Sequence, residues 1–365
     1  MRIWYFVGVL CVLSASCSDG GGTSGAGGSG GAAGAGGSGE QVTQAELTFI
    51  GVTQWLLQYG DTTVLLDAYF SRPADRTAGS TQEGLDLMQR VLDAAGVESV
   101  DFILVGHSHF DHAIDCGAAA MLTGAQVIGS KTTCLIAQSA GLPEDRCTVL
   151  GTGDELPLGE ATMRAVRTIH TLPALIGRFL ELEEVPTPED SWAAPAGGPI
   201  SYLISFPGDD PFSMFYTNSI SAIGGDDGSG EDYAANLDAA FSDVDGTTAW
   251  LGPVGFLAEE GDLTEYFSRI QPDFVIPQHF DGLTPDVEAG LMMPFAPHAA
   301  LIQVAANEGS TIVAPEEYFD VFVVSPDGVV RHLVVWSAPC WLGLARFSAG
   351  GPNDGFPNHS CWRWS

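Results

Sequence analysis

The chain has 365 residues, of which 46 are acidic and 13 basic, giving a formal net charge of −33 at pH 7. That balance speaks against a general nucleic-acid binder, which grips phosphates with Lys and Arg, and against electrostatic docking on anionic lipid. With 45% hydrophobic residues, the chain has enough apolar surface to bury a core, which argues against wholesale disorder.

Residues 1–17 read as an export signal. Arg2 supplies a thin positive start, and Ile3 to Leu13 form an apolar run shorter than the about 20 residues a helix needs to span a bilayer. Ser14-Ala15-Ser16-Cys17 resembles a lipoprotein processing site, with Ser14 where Leu is usual. This predicts a lipid anchor on Cys17 and a location in the bacterial cell envelope, periplasm or outer surface, with plain signal cleavage as the alternative. Residues 18–40 are almost all Gly, Ser and Ala and read as a flexible tether with a reach on the order of 25 Å. The folded region is expected over 41–336, as one domain. Residues 337–365 form an irregular tail, rich in Cys and Trp, packed on it. An oxidising compartment permits disulfides. Cys134 with Cys147 and Cys340 with Cys361 are the sequence-near pairings, and Cys116 is left over.

The folded region opens with β-rich runs at Glu46–Ile50, Thr53–Tyr59 and Thr62–Asp67, with Gly60-Asp61 as a hairpin turn. A helix begins at Ser80-Thr81, sharing Leu85, Met88, Leu92 and Ala95 on one face, and stops at Gly96. Asp101–Val105 reads as a buried strand, His112–Leu122 as a helix, Gln126–Gly129 as a strand and Thr132–Ala140 as a helix. The chain is β-rich from Cys147 to Thr168. Glu183–Pro199 reads as a long acidic surface loop. Ile200–Phe206 and Phe212–Thr217 pair around a Pro-Gly-Asp-Asp-Pro turn. Thr248–Leu251, Phe274–Ile276, Tyr318–Val324 and Val329–Trp336 add strands, with helices between some of them. Such a mixture makes a layered α/β protein rather than a bundle or a β-sandwich.

Three of the eight histidines fall in His107-Ser108-His109-Phe110-Asp111-His112. In extended backbone, residues i and i+2 point the same way, so His107 and His109 can grip one metal. Asp111 and His112 follow where the chain turns into a helix and can face a second. Imidazole and carboxylate ligands suit Zn²⁺, with Fe or Mn less favoured. The motif follows a strand end, where sites in α/β folds gather.

This segment resembles the metallo-β-lactamase superfamily, whose hallmark is His-x-His-x-Asp-His after a strand. Val64 to Asp67, after a hairpin, is similar to that family's early strand ending in Asp. The resemblance covers most of residues 46–282, loosely in the branch of lactonases and phospholipase-D-type phosphodiesterases, although Gly51-Val52-Thr53-Gln54 stands where many of that branch carry a Gly-His pair. It implies a four-layer αββα sandwich. It also implies His170, after the strand Ala161–Ile169, as the third ligand beside His107 and His109. His279, just past a buried strand, is implied as the partner of Asp111 and His112. Asp67 reads either as a hydrogen-bonding support for the metal loops or as a strand-end turn residue.

The family places a bridging Asp where this chain has Thr217-Asn218-Ser219, so Asn218 is the expected ligand there, a weak one. Asp209 or Asp210 is the competing register, and Asp226 and Asp227 are candidates to compensate. His332 reads as structural, His359 as a packing or surface residue, and His298 as a residue without support for a role. Arg164, Arg167 and Arg178 lie near His170 and are candidates for an anionic substrate group or plain surface charge.

The expected activity is zinc-dependent hydrolysis of an ester, lactone, β-lactam or phosphodiester, with hydroxide supplied at neutral pH by one or two metal ions and with Asp111 and His279 in catalytic roles. The substrate is expected to be a small or lipid-like molecule and the membrane contact to run through the N-terminal anchor. The alternative is a non-catalytic metal- or ligand-binding lipoprotein on the same fold, motivated by Asn218. There is no Gly-x-Ser-x-Gly elbow, P-loop or dinucleotide fingerprint in a fitting context.

Overall fold

The structure is a computed structural model that describes residues 42–73, 79–170, 180–253, 260–283, 287, 290–291 and 299–332. All lie within the unit Gln41–Ser365. The export signal, the Gly-rich tether, the Cys340 and Cys361 tail, Arg178, His298 and His359 fall outside these residues.

Two sheets form the centre. The first contains β1 (Ala45–Gly51), β2 (Gln54–Tyr59), β3 (Thr62–Leu66), β4 (Phe102–Leu104), β5 (Gln126–Gly129), β6 (Cys147–Val149), β14 (Val321–Ser325) and β15 (Gly328–His332). Their order is β15-β14-β1-β2-β3-β4-β5-β6. The second contains β7 (Glu155–Leu158), β8 (Ala161–Arg167), β9 (Ile200–Phe206), β10 (Phe212–Tyr216), β11 (Thr247–Pro253), β12 (Pro272–Gln278) and β13 (Thr311–Ile312), in the order β13-β12-β11-β10-β9-β8-β7. Each sheet is antiparallel in one part and parallel in the other. β3 to β6 run parallel in the first sheet, as do β10 to β13 in the second. One apolar core joins both sheets, with Trp55, Leu66, Ile103, Phe215, Trp250 and Ile276 among its members.

Helices α1 (Gln82–Ala94), α2 (Phe110–Ala113), α3 (Cys116–Thr123) and α4 (Lys131–Ser139) accompany the first sheet. α5 (Tyr233–Ala240), α6 (Glu260–Ile270) and α7 (Ala299–Glu308) accompany the second. This is the four-layer αββα sandwich. The α1 sequence follows the expected logic: Thr81 caps the start by accepting from the Gly84 N–H, and Leu87, Met88, Val91 and Leu92 are buried. The buried stripe differs by two positions from the expected one, since Leu85 and Ala95 sit at its rim.

Several boundaries differ from the sequence reading, each for a local reason. The helix expected over His112–Leu122 is two helices, α2 and α3. Buried Asp115 between them accepts from the Phe70 N–H at 2.6 Å and the Ser71 N–H at 2.8 Å, tying the chain to the segment after β3. Thr53 belongs to a turn rather than to β2, because Val52 takes φ 56°. β14 starts at Val321, since Phe319 takes φ 69° and donates its N–H to Phe49 O at 2.7 Å. Two-residue β13 lacks the length to show a period. The 183–199 loop is not wholly on the surface. Ser191 is buried, Trp192 stacks on Phe110 at 3.6 Å between ring centroids, and Ala196 O accepts from the Ser108 N–H at 2.8 Å. That loop therefore braces the histidine segment. Cys134 and Cys147 form a disulfide joining α4 to β6, and Cys116 is a buried free thiol.

The two sheets are also joined by buried hydrogen bonds at one edge. Trp55 Nε1 on β2 donates to Gln278 Oε1 on β12 at 2.6 Å. Gln278 Nε2 in turn donates to Thr217 O at 2.9 Å and Leu251 O at 3.1 Å. Tyr202 OH on β9 donates to Val105 O at 2.8 Å. These bonds tie the carboxyl ends of β4, β10, β11 and β12 into one rim.

Candidate metal centre

The same rim collects the chemistry. Asp67 follows β3, the 107–112 segment follows β4, His170 follows β8, Asn218 follows β10 and His279 follows β12. The histidine segment is held in place from its backbone. Ala68 N–H donates to His112 O at 2.8 Å, and Ser108 Oγ lies 2.9 Å from Ser130 Oγ and 3.1 Å from Thr133 Oγ1.

Two compact ligand sets result. In the first, His107 Nε2 lies 3.1 Å from His109 Nδ1 and 3.2 Å from His170 Nε2. Two ligands on a tetrahedral zinc at about 2.0–2.1 Å stand about 3.3 Å apart, so these three nitrogens fit one ion. In the second, Asp111 Oδ2 lies 3.4 Å from both His112 Nε2 and His279 Nε2. Nitrogen with carboxylate oxygen is a zinc or iron donor set. The sets are adjacent, with the His107 and His112 rings 3.9 Å apart between centroids. His107, Asp111 and His112 are buried, whereas His109, His170 and His279 are part-exposed, so the centre opens to solvent on their side.

Electrostatics separate the two sets. Burial, and then the neighbouring imidazoles, hold His107 well below the ordinary histidine range, and burial holds His109 at about 4. Both rings are therefore neutral at pH 7 and able to ligate. Burial also disfavours charge on Asp111 and His112, but their mutual attraction outweighs it. With Asp67 adding to the effect, His112 is pushed up to about 10, while His112 and His279 hold the Asp111 carboxyl well below the usual range. The carboxylates that favour a proton on His112 would also attract a metal cation, which displaces that proton when it binds.

Behind both sets lies Asp67, fully buried at φ 56°. Its Oδ2 accepts from Thr53 Oγ1, His112 Nδ1 and Tyr216 OH, each at 2.6 Å, and its Oδ1 accepts from the Gly106 N–H at 2.8 Å. Of the two readings of Asp67, the hydrogen-bonding support fits this position. His279, at φ 59°, donates its N–H to Val52 O at 2.7 Å, and Val52 N–H donates to Asp281 Oδ1 at 2.8 Å. A β-branched residue such as Val52 at positive φ is strained backbone, and such strain persists where surroundings over-determine it. Here it aims His279.

Asn218 stands apart from the expectation. Its Oδ1 lies 3.1 Å from His107 Nδ1, the ring nitrogen opposite the one facing His109 and His170. Its Nδ2 faces Asp67 at 3.0 and 3.3 Å. The amide sits behind the histidines rather than between the two ligand sets. The other candidates are engaged elsewhere. Asp209 and Asp210 lie in the exposed β9–β10 turn. Asp226 and Asp227 cap their own loop through Gly228 and Ser229 N–H. Arg164 pairs with Glu155 at 2.7 Å and Asp243 at 2.7 Å. His332 ends β15, exposed.

Thr53, Tyr216 and Gly106 went unremarked in the sequence because each looks like ordinary strand or turn material. Arg72 was equally silent. It is buried over the Tyr318 ring, 5.2 Å from its centroid, and its Nη2 lies 3.5 Å from Asp281 Oδ2. No spacing rule brings Arg72 and Asp281 together.

A family model described as a beta-lactamase superfamily domain matches residues 46–279, from β1 to the last candidate ligand. The chain belongs to the metallo-β-lactamase superfamily. The two ligand sets lie within the matched span of this superfamily domain. A UPF0173 protein of Pyrococcus abyssi is 40% identical over 79 residues, 22% of this chain and 37% of that protein. A UPF0173 metal-dependent hydrolase of an Anaeromyxobacter species is 26% identical over 169 residues, 45% of this chain and 53% of that protein. The chain thus spans about half or less of the length of the curated relatives it matches. Among solved structures, a metallo hydrolase of the archaeon Ignicoccus hospitalis is similar at 12% identity and a TM-score of 0.49, over 77% of this chain and 98% of that one.

Proposed function

We propose that this protein is a zinc-dependent hydrolase acting on an ester, lactone, β-lactam or phosphodiester bond. The observation that carries the reading is the pair of adjacent ligand sets, His107/His109/His170 and Asp111/His112/His279. Zinc held by these residues would supply a water whose pKa is lowered from about 15.7 towards about 7 and would polarise a substrate oxygen.

The chain's own residues do the rest. His107 and His109 offer neutral nitrogens from one loop, and His170 closes the set from the second sheet. Asp111, shared between His112 and His279, would orient the attacking water by accepting a hydrogen bond from it at the carboxylate. The His279 side chain is 24% exposed and its Nε2 lies 3.4 Å from Asp111 Oδ2, so it would hold the second ion with Asp111 and His112 on the solvent-facing side, where a leaving group departs. No side-chain nucleophile is required.

We further propose export and anchoring through a lipidated Cys17, supported by the order of apolar run, small residues, cysteine and Gly-rich tether. No helix among the described residues is long and apolar enough to cross a membrane.

The test is metal content per chain by elemental mass spectrometry on untagged protein, followed by ester, lactone, β-lactam and phosphodiester panels. One or two zinc ions, with the ion of the first set lost in His107→Ala, and turnover of a panel substrate support the reading. Two irons would replace it with a redox assignment. Metal without turnover favours the non-catalytic binding protein, and no metal after refolding with zinc overturns both.

A further inference from the structure

Asp67 meets His112 directly, whereas Asn218 bonds to both Asp67 and His107. A carboxylate only accepts hydrogen bonds, whereas an amide carries one donor end and one acceptor end. Asn218 Nδ2 lies 3.0 Å from Asp67 Oδ2 and 3.3 Å from Oδ1, so the donor end is the one turned to the carboxylate. The acceptor end, Oδ1, is then left 3.1 Å from His107 Nδ1. A carbonyl oxygen has no proton to give, so the proton of the neutral ring sits on Nδ1. The lone pair is on Nε2, the nitrogen facing His109 and His170 at 3.1 and 3.2 Å.

We propose that Asn218 is a positioning residue: an amide relay that passes the orientation imposed by Asp67 on to His107 and holds that ring in its Nδ1-protonated tautomer, instead of ligating a metal itself. One buried carboxylate thereby aims an imidazole of each ligand set, His112 directly at 2.6 Å and His107 through the amide. An aspartate at 218 cannot serve, because it would set a second carboxylate about 3 Å from Asp67 with no N–H to offer it. The neighbouring backbone is shaped for the amide. A Cβ on Gly106 would lie 2.0 Å from Asn218 Nδ2, so only glycine at 106 leaves room for it. The inference rests on the reading of the histidines as metal ligands, since a fixed lone pair on Nε2 matters to a cation placed there.

The direct experiment uses the full chain labelled with ¹⁵N at histidine, with long-range ¹⁵N–¹H spectra and His107 assigned by comparison with His107→Gln. The expected result is an Nδ1-protonated His107 in the unaltered protein, lost or mixed in Asn218→Leu. An Nε2-protonated His107 in the unaltered protein, or an unchanged tautomer in Asn218→Leu, overturns the relay. A zinc titration against a chromophoric chelator gives a second arm. Asn218→Leu and Asn218→Asp are each expected to weaken the first zinc by about 10–100-fold. If Asn218→Asp instead leaves the first zinc unchanged and tightens a second, position 218 faces the ions and the relay is wrong. The tautomer spectrum of the unaltered chain, once His107 is assigned, needs no metal. A protein that takes up no zinc would therefore sink the hydrolase reading while the spectrum still decides the relay.

Discussion

Asp67 Oδ2 and His112 Nδ1 meet at 2.6 Å in the interior, joining the end of β3 to α2. The two side chains are 0% and 1% exposed. The same carboxylate accepts from Thr53, Tyr216, Gly106 and Asn218. Asp67→Ala would strand several buried donors and leave a charge-prone ring without its partner. A loss of about 3–5 kcal/mol is expected from urea unfolding. A loss below about 1 kcal/mol would show that the network contributes little to the folded state.

The two ligand sets share no residue, so their ions should be lost separately. His170→Ala is expected to remove the ion of the first set, and His279→Ala that of the second, each lowering metal per chain by about one. Equilibrium dialysis followed by elemental analysis reads this directly. Complete metal loss in both variants would mean that the sets bind only as a unit.

Arg72 and Asp281 form a buried ion pair, with Tyr318 OH donating to the same Asp281 oxygen at 2.9 Å. Removing only the cation leaves Asp281 charged in a dry setting, and breaking such pairs costs about 3–5 kcal/mol. Arg72→Met should therefore destabilise strongly, and adding Asp281→Asn should recover part of the loss in a double-mutant cycle by chemical denaturation. Because Asp281 holds Val52 and Val52 holds His279, Arg72→Met is also expected to weaken the second metal more than the first.

Buried Cys116 and Tyr318 both have their pKa raised by burial, to about 12 in each case, from ordinary values of 9.0 and 10.0. A group whose folded pKa lies above its unfolded one contributes stability that is complete below the unfolded value and lost as pH rises towards the folded one. Stability should therefore fall from about pH 9 towards pH 12, with a shallower slope in Cys116→Ala over the first part of that window. Thermal melts across pH 8 to 11 measure it. The same burial predicts that Cys116 resists alkylation at pH 8 in the native protein.

Lipidation of Cys17 predicts that Cys17→Ser moves the protein from the membrane fraction to the soluble envelope fraction, with loss of labelling by a clickable fatty acid. Retention of membrane association and label in the variant would contradict the anchor.

The folding pattern was readable wherever it was local. The β-rich runs of β1 to β3, the Thr81 cap and the buried periodicity of α1 follow from the chemistry of neighbouring residues, and so do two-residue turns such as Gly60-Asp61. The split between α2 and α3 was not readable. It depends on Asp115 bonding to Phe70 and Ser71, a contact made more than forty positions away. The same holds for the 183–199 loop, whose acidic, proline-rich composition gives no sign that Trp192 stacks on Phe110.

For the metal centre the division runs between ligand type and ligand support. Six residues of sequence, His107 to His112, determined by themselves which chemistry the chain can offer, because i and i+2 spacing in extended backbone aims two imidazoles alike. The strand ends before His170 and His279 suggested where further ligands belong. Only the tertiary structure decided what stands behind them. Asp67 and Asn218 lie 151 positions apart, and nothing in either residue's neighbourhood says that an amide will face a carboxylate. Whether Asn218 points at an ion or at the back of His107 is a question of side-chain direction across two sheets. It is settled by which donor each buried acceptor can reach, and that depends on the ends of β3 and β10, in different sheets, meeting at one rim.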